Sequence, residues 1–303
     1  MKPLYLAGPT AVGKSAAAME LAERLNAEIV SVDSMQVYRG LNIGTAKPSR
    51  REQERIRHHL IDVVGLEDAF DAAKFVELAE LAVKEAKGRG CNTIFCGGTG
   101  LYFKAWLAGL GEAPTSDESL REELESIDVA VLLEELKEKD RQTFERIDRE
   151  NPRRIVRAIE VIRLTGKPFS EQRADWGEIG DAKVICLIRE STDLRERINQ
   201  RVDQMFGQGL VGEVEALLKN GLAENRTAMQ AIGYRQVVEH LRGERSLDET
   251  IELIKTKTWQ FARRQSTWFR NQLPSVWVEA TTDEPIESLV DRAYEACRAS
   301  IRD

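Results

Sequence analysis

The chain has 303 residues and a mass of 34.2 kDa, and 42% of its residues are hydrophobic and 31% are charged. This is the composition of a globular protein, which excludes disorder, collagen and a coiled-coil rod as the main structure. The net charge of −7 excludes a uniformly basic nucleic-acid-binding protein but leaves room for a local basic surface.

The charge is distributed unevenly along the sequence. Residues 112–139 contain ten acidic and three basic residues, whereas residues 141–173 contain nine basic and five acidic ones. Residues 255–270 contain five basic residues and no acidic residue. Because a polyanion is repelled by the first segment and attracted by the other two, we expect any nucleic-acid surface to lie on the two basic segments.

The cysteines and the hydropathy pattern indicate the compartment. No cysteines are spaced as Cys-x-x-Cys, and the three histidines stand at no zinc-ligand spacing, so we expect four reduced thiols. The sequence opens on a strand pattern rather than a signal peptide, and no apolar run approaches the roughly 20 residues that span a bilayer. We therefore expect a cytoplasmic protein with no membrane partner.

Short apolar runs with glycine or polar boundaries predict five strands. They are Leu4–Ala7, Glu28–Val32, Thr93–Cys96, Val184–Ile188 and Val276–Glu279. Helical patterns lie between them, at about 15–25, 71–88, 192–205, 211–219 and 247–270. Strands that alternate with helices predict an α/β fold, in which a mostly parallel sheet carries helices on both faces.

The gap between the third and fourth strands is too long for a single crossover. It holds the acidic segment, then a basic helical run that Pro152 opens, and a stop at Thr165–Pro168. We therefore predict a helical insertion domain over residues 113–181. The core domain then comprises residues 1–112 and 182–303, and its C-terminal part is largely helical.

A phosphate-binding loop follows the first predicted strand. The motif Gly-x-x-x-x-Gly-Lys-Ser is formed by Gly8, Pro9, Thr10, Ala11, Val12, Gly13, Lys14 and Ser15. Glycines let backbone N–H groups close around an anion, and the following helix adds a partial positive charge. Lys14 supplies a mobile cation, and the Ser15 hydroxyl is a suitable Mg²⁺ ligand. The motif predicts a P-loop NTPase-like fold that binds a di- or triphosphate, without specifying a nucleotide.

A carboxylate stands at the end of the second strand. Open α/β sheets bind ligands beyond the carboxyl ends of their strands, so Asp33 faces the phosphate loop if the second strand neighbours the first. Such a carboxylate is suited to deprotonate an acceptor or to hold Mg²⁺ through water. Capping of the following turn is the alternative role. Ser34 and Gln36 add groups able to hydrogen-bond a base edge.

At this point the sequence resembles the tRNA dimethylallyltransferases, also called tRNA isopentenylpyrophosphate transferases, in their compact bacterial form. The resemblance is carried by ordered segments over nearly the whole chain: Gly8–Ser15, Asp33–Tyr38, Ile43–Pro48, His58–Asp62, Gly97–Tyr102, Arg153–Val161, Ala231–Gln236 and Arg263–Arg270. It implies transfer of a dimethylallyl group from dimethylallyl diphosphate to N6 of an adenosine beside the anticodon of tRNA, with release of pyrophosphate.

The resemblance also implies roles for individual residues. Asp33 would accept the N6 proton, Thr10 would hydrogen-bond the bridging oxygen, and Arg201 would be a further catalytic group. Gly8–Ser15 would hold the diphosphate, with Mg²⁺ at Ser15. The implied tRNA contacts, with the anticodon arm as partner, are Asp33, Ser34, Met35, Gln36, Thr99, Arg121, Arg153, Arg154, Ile155, Val156, Arg157, Ile232, Gly233, Tyr234 and Arg235. We expect the protein to act as a monomer.

Other functions stay open at this stage. A small-molecule or nucleotide kinase would use the loop for ATP and Asp33 as a base, but it leaves the basic run at Arg153–Arg157 unexplained. An isopentenyltransferase for free adenine nucleotides has less need of a helical insertion. A non-catalytic RNA-binding P-loop protein has no need of Lys14, Ser15 and Asp33 together.

Overall fold

The structure of the protein is a computed structural model that describes residues 3–110, 114, 116–172, 179 and 182–302. The chain divides into two compact units. The first, which we call the core unit, comprises Met1–Leu107 and Ile179–Asp303, and the second, the helical unit, is Ala108–Glu178. Of the sequence-based boundary residues, 112, 113 and 181 lie outside the described set, whereas 182 is described.

One six-stranded parallel sheet forms the centre of the core unit. Its strands are β1 (Leu4–Ala7), β2 (Ala27–Val32), β3 (His58–His59), β4 (Asn92–Gly97), β5 (Val184–Ile188) and β6 (Ser275–Glu279). Their order is β3-β2-β4-β1-β5-β6, and every neighbouring pair is parallel. All five predicted strands are present. The short strand β3 was not predicted, because two histidines carry no apolar pattern.

The position of β4 differs from the sequence-based expectation. Asp33 was expected to face the phosphate loop if the second strand neighboured the first, but β4 pairs with both β1 and β2 and lies between them. The end of β2 and the end of β1 are therefore separated by the end of β4. Apolar runs identify strands but not their lateral order, which depends on how the crossover helices pack.

The core-unit helices follow the predicted alternation. They are α1 (Lys14–Leu25), α2 (Arg50–Arg55), α3 (Ala72–Gly88) and α4 (Gly100–Ala108), and after the helical unit α9 (Ser191–Gly207), α10 (Leu210–Leu218), α11 (Tyr234–Leu241), α12 (Leu247–Gln272) and α13 (Ile286–Arg302). Tyr5 and Ala7 of β1 enter one hydrophobic cluster, whereas Leu4 and Leu6 enter another. Since neighbouring strand residues point to opposite faces, helices cover both faces of the sheet, as predicted.

The helical unit contains α5 (Glu118–Ser126), α6 (Val129–Lys139), α7 (Arg141–Arg146) and α8 (Pro152–Thr165). Leu124, Leu132, Leu136 and Ile159 contribute to its own hydrophobic cluster. Asparagine at position 151 caps α8, and Gly166 ends it in the left-handed conformation. This unit therefore has a core independent of the sheet.

Other sequence-based expectations concern the thiols and the membrane. Cys91, Cys96 and Cys186 are free, and the side chain of Cys297 lies outside the described set. Across the described ranges, no helix is both long and apolar enough to cross a bilayer.

Candidate active site

The anion loop lies between β1 and α1, and its backbone geometry depends on glycine. Gly8 has φ of 145°, and a Cβ there would lie 2.6 Å from the backbone oxygen of Leu187. Gly13, with φ of 110°, stands immediately before α1. These two positions therefore admit no ordinary side chain, and they bend the loop so that its amides and the start of α1 border one cavity.

Lys14 is held inside this loop. Its Nζ donates a hydrogen bond of 2.6 Å to the backbone oxygen of Pro9. Burial is the main cause that lowers the pKa of Lys14 to about 8; the nearby Arg201 guanidinium contributes to this lowering, while Cys96, Cys186 and Asp33 oppose it. A cation whose charged form is disfavoured by burial gains most from an anionic ligand, so Lys14 is suited to meet a phosphate.

Asp33 follows β2 and uses only one of its carboxylate oxygens within the protein. Oδ1 accepts the backbone N–H of Met35 at 2.8 Å and that of Gln36 at 3.2 Å. Oδ2 makes no hydrogen bond to any residue in the described part of the chain, and Asp33 lines the cavity. Capping and a chemical role, considered as alternatives from the sequence, are therefore compatible: one oxygen fixes the turn and the other stays available.

The residues after Asp33 are tied to the rest of the core unit. The backbone N–H of Ser34 donates to Thr99 Oγ1 at 3.2 Å. Gln36 accepts from Ser31 Oγ at 2.8 Å and donates to the backbone oxygens of Thr45 and Ala46. The amide of Gln36 therefore holds the loop at 45–46. Hydrogen bonds from this amide to a base edge, as predicted from the sequence, would have to compete with these contacts.

Arg189 and Arg197 bind the anion loop, and Arg201 lines the adjoining cavity; only Arg201 was expected from the sequence. Arg189, directly after β5, donates to the backbone oxygen of Val12 at 3.0 Å and pairs with Asp193 at 2.7 Å. Arg197 donates to the backbone oxygen of Ala11 at 3.0 Å. Arg189 stands at the carboxyl end of a strand and Arg197 stands one helical turn before Arg201. Both positions were signals that sequence reasoning could have used.

Arg201 differs from the other two arginines. It lines the cavity and, within the described residues, makes no hydrogen bond or ion pair. Burial lowers its pKa, although the Asp33 carboxylate acts in the opposite direction and Arg197 adds to the lowering. An arginine that is largely enclosed, and that has no partner of its own, is a ready donor to an incoming anion.

These groups share a cavity of about 840 Å³ in the core unit. Among the predicted site residues, those that line it are Thr10, Ala11, Gly13, Lys14, Ser15, Asp33, Ser34, Met35, Gln36, Thr99, Arg201 and Ile232. Its apolar wall includes Met205, Ile254 and Phe261. Charged and hydrogen-bonding groups thus lie in one chamber with an apolar wall, which suits a ligand that has an anionic and an apolar part.

Other predicted site residues do not line the cavity. Three residues of the anion loop are buried and do not face the cavity: Gly8, Pro9 and Val12. Tyr234 is buried, donates to Glu213 Oε1 at 2.6 Å and accepts the Gly44 N–H at 3.1 Å. Gly233 precedes α11, and Arg235 pairs with Glu239 at 2.9 Å on its exposed side. Tyr234 therefore supports the loop at 42–44 rather than facing the cavity.

The remaining predicted tRNA contacts lie in the helical unit, where two of the predicted arginines form ion pairs with the buried Glu160. Arg121 pairs with Glu160 at 3.1 Å and Arg157 pairs with it at 2.6 Å. Ile155 and Val156 are buried in the core of this unit.

The first turn of α8 is exposed. Both Arg153 and Arg154 extend from it, and the Arg154 side chain makes no ion pair within the described ranges. Arg154 therefore contributes a charge without an ion pair in the described ranges, and Arg121 and Arg157 together exceed the single negative charge of Glu160 by one.

A parallel sheet with a Gly-x-x-x-x-Gly-Lys-Ser loop between its first strand and first helix defines a P-loop-like α/β protein. A family model described as IPP transferase matches residues 36–272. The chain therefore belongs to the IPP transferase family, and it is a transferase.

Individual relatives agree along nearly their whole length. A tRNA dimethylallyltransferase 1 of Trichlorobacter lovleyi is 44% identical over 92% of this chain and 94% of its own. A tRNA dimethylallyltransferase of Anoxybacillus flavithermus is 42% identical over 96% and 94%.

Solved structures agree as well. The tRNA isopentenylpyrophosphate transferase of Bacillus halodurans has a TM-score of 0.72 and 36% identity, over 99% of this chain and 98% of that one. A eukaryotic dimethylallyltransferase acting on tRNA has a TM-score of 0.80 and 25% identity, over 99% of this chain and 79% of that one.

Proposed function

We propose that this protein transfers the dimethylallyl group of dimethylallyl diphosphate to N6 of an adenosine next to the anticodon of tRNA and releases pyrophosphate. The observation that carries the proposal is the shared cavity, in which the anion loop and the available oxygen of Asp33 face the same space. The relatives' action on tRNA and their transfer of dimethylallyl groups support the same reaction.

The acceptor side of the reaction needs a base. The lone pair of adenine N6 is delocalised into the ring, so the amine is a weak nucleophile until its proton is removed. In the proposed reaction N6 forms a bond to the allylic carbon, the bond from that carbon to the bridging oxygen breaks, and Asp33 Oδ2 accepts the N6 proton. The turn that Oδ1 caps keeps this oxygen oriented. Because the base must leave its stack to enter a cavity, an anticodon-loop adenosine is favoured.

The donor side must stabilise negative charge that grows on the departing diphosphate. Lys14, Arg201 and the loop amides after Thr10 border the space where it would sit. The Ser15 side chain is exposed to the cavity and makes no hydrogen bond within the described residues, so it fits a Mg²⁺ ligand. The described residues contain no group of three or more His, Cys, Asp or Glu side chains placed to hold a metal ion. Mg²⁺, when bound there, would neutralise part of the leaving-group charge.

Diphosphate binding is expected to weaken as the pH rises above about 8, because Lys14 then loses its proton in the free protein. A bound diphosphate favours the charged lysine and raises its pKa, so binding above pH 8 takes up about one proton. Titration calorimetry with pyrophosphate in buffers of different ionisation enthalpy measures that uptake. The Lys14→Met variant provides the control, since it should bind weakly at every pH. Equal proton uptake in both proteins would contradict the assignment to Lys14.

Arg154→Ala is expected to weaken tRNA binding. It should also make the slope of the logarithm of the tRNA association constant against the logarithm of salt concentration shallower by about 1, because one phosphate contact is lost. Lys137→Ala on α6 is the matched control, since Lys137 lies in the acidic segment and pairs with Glu134 at 3.4 Å. Its salt dependence should equal that of the unmodified protein. Filter binding at several salt concentrations decides, and an unchanged slope for Arg154→Ala would remove it from the tRNA surface.

One assay tests the proposed function against its alternatives. Unmodified tRNA, dimethylallyl diphosphate and Mg²⁺ are incubated with the protein, and the digested RNA is analysed for isopentenyladenosine by mass spectrometry. The proposal expects that product and an equal amount of pyrophosphate. ATP consumption without the product would indicate a kinase, and prenylation of AMP but not of tRNA would indicate an enzyme for free nucleotides.

We further propose that the protein acts in the cytoplasm as a monomer.

A further inference from the structure

The side chain of Gln265, on α12, lies between the two halves of the site. We propose that Gln265 is a positioning residue that holds the anion loop and the Asp33 turn at the separation that prenyl transfer requires. The inference rests on the function proposed above and assigns to this residue a task within it.

Gln265 joins the anion loop to the loop after β4 through one amide group. The backbone N–H of Thr10 donates to Gln265 Oε1 at 2.9 Å, and Gln265 Nε2 donates to the backbone oxygen of Gly98 at 2.9 Å. The side chain is buried, with 8% of the residue exposed. Because a side-chain amide offers an acceptor and donors together, it satisfies both loops at once.

The link continues from Gly98 to Asp33. The backbone N–H of Thr99 donates to the oxygen of Val32 at 3.1 Å, and the N–H of Ser34 donates to Thr99 Oγ1 at 3.2 Å. Val32 and Ser34 are the two chain neighbours of Asp33. Hydrogen bonds thus run from Thr10, on the diphosphate side, through Gln265 and Thr99 to both sides of the proposed base.

The loop after β4 is shaped to receive this side chain. A Cβ at position 98 would lie 2.2 Å from Gln265 Nε2, whereas the nearest atom of any other residue, the oxygen of Gly8, would be 3.5 Å away. At Gly100 a Cβ would lie 2.1 Å from a ring atom of Trp268, one turn further along α12. The space that a side chain at position 98 would need is therefore occupied by the Gln265 amide.

The proposed role predicts a specific kinetic effect. Without the amide, the Thr10 N–H and the Gly98 carbonyl lose their common partner, and the distance between the leaving group and the base is no longer fixed. Small misplacements of reacting groups cost about 100-fold in rate. We therefore expect Gln265→Ala to lower kcat by about 100-fold, with KM for both substrates little changed. A purely structural role would instead lower the fraction of folded enzyme and leave kcat per active site constant.

A double-mutant cycle with Gly98→Ala tests the role through a second route. The added methyl group displaces the Gln265 amide, so Gly98→Ala should lower kcat in the unmodified protein. In the Gln265→Ala background the clash is gone, and the same substitution should cost nothing further. Gln260→Ala, at an exposed glutamine on α12, is the control and should keep kcat unchanged. Should Gln265→Ala fail to fold, Gln265→Asn replaces it, since it is too short to reach both loops.

The outcomes separate this inference from the proposed function. Normal prenylation by the unmodified protein, with kcat unchanged in both single variants, would overturn the role of Gln265 alone. Additive losses would also overturn it, because they would mean that Gly98 and Gln265 act independently. Absence of prenylated tRNA with the unmodified protein would overturn the function and the inference together.

Discussion

Asp33→Asn is expected to lower kcat for prenyl transfer by about 10³-fold, because it removes the oxygen that accepts the N6 proton. Asparagine keeps a carbonyl oxygen that can accept the N–H groups of Met35 and Gln36, so the turn should survive the change. Its amide nitrogen replaces Oδ2 and cannot act as a base. The affinity for tRNA should therefore change little, and single-turnover kinetics with saturating tRNA measures the chemical step separately from binding.

Asp68→Asn is the matched control for this prediction. Asp68 also accepts a backbone N–H, that of Gly65 at 2.8 Å, but it does not line the cavity. Its kcat should equal that of the unmodified protein. If Asp33→Asn retained a near-normal rate, Asp33 would be only the cap of its turn.

Arg201→Met is expected to lower kcat by roughly 10²- to 10³-fold, because it removes a cation placed to stabilise the departing diphosphate. The same change should stabilise the unliganded protein by about 1 kcal/mol, since an enclosed guanidinium that makes no ion pair within the described residues gives way to an apolar side chain of similar length. Opposite effects on activity and on stability are the signature of a group held ready for a ligand.

Kinetic measurements and urea unfolding of the same preparations test the Arg201 prediction. Arg195→Met is the control, since Arg195 is an exposed arginine on α9 that lies over the Trp259 ring at 6.0 Å. It should keep kcat and gain no stability. A stability loss in Arg201→Met would contradict our description of Arg201 as an enclosed cation that makes no ion pair in the part of the chain that the structure describes, and an unchanged kcat would remove it from the site.

Local features of the site could be predicted from the sequence. The spacing of glycines after an apolar strand identifies the anion loop, and the position of Asp33 at the end of the next predicted strand marks it as a candidate site residue. Both signals act over a few residues. The capping role of Oδ1 was also foreseen as an alternative, although a sequence cannot show that the two carboxylate oxygens divide the tasks.

Features that depend on distant contacts could not be predicted. The contact between Thr10 and Gln265 joins residues 255 positions apart, and no periodicity signals it. The insertion of β4 between β1 and β2 is likewise a matter of packing. The sequence likewise does not show that Glu160 pairs with Arg121 and Arg157, because a charge pattern gives the number of charges in a segment but not which side chains form ion pairs.

A crystal structure of the protein with an unreactive thio analogue of dimethylallyl diphosphate, Mg²⁺ and an anticodon stem-loop tests the central claim most directly. Our account predicts the diphosphate over the anion loop within reach of Lys14 and Arg201, and the adenine N6 within hydrogen-bond distance of Asp33 Oδ2. A flipped adenine bound elsewhere, or a diphosphate held away from the loop with Asp33 turned out of the cavity, would contradict it.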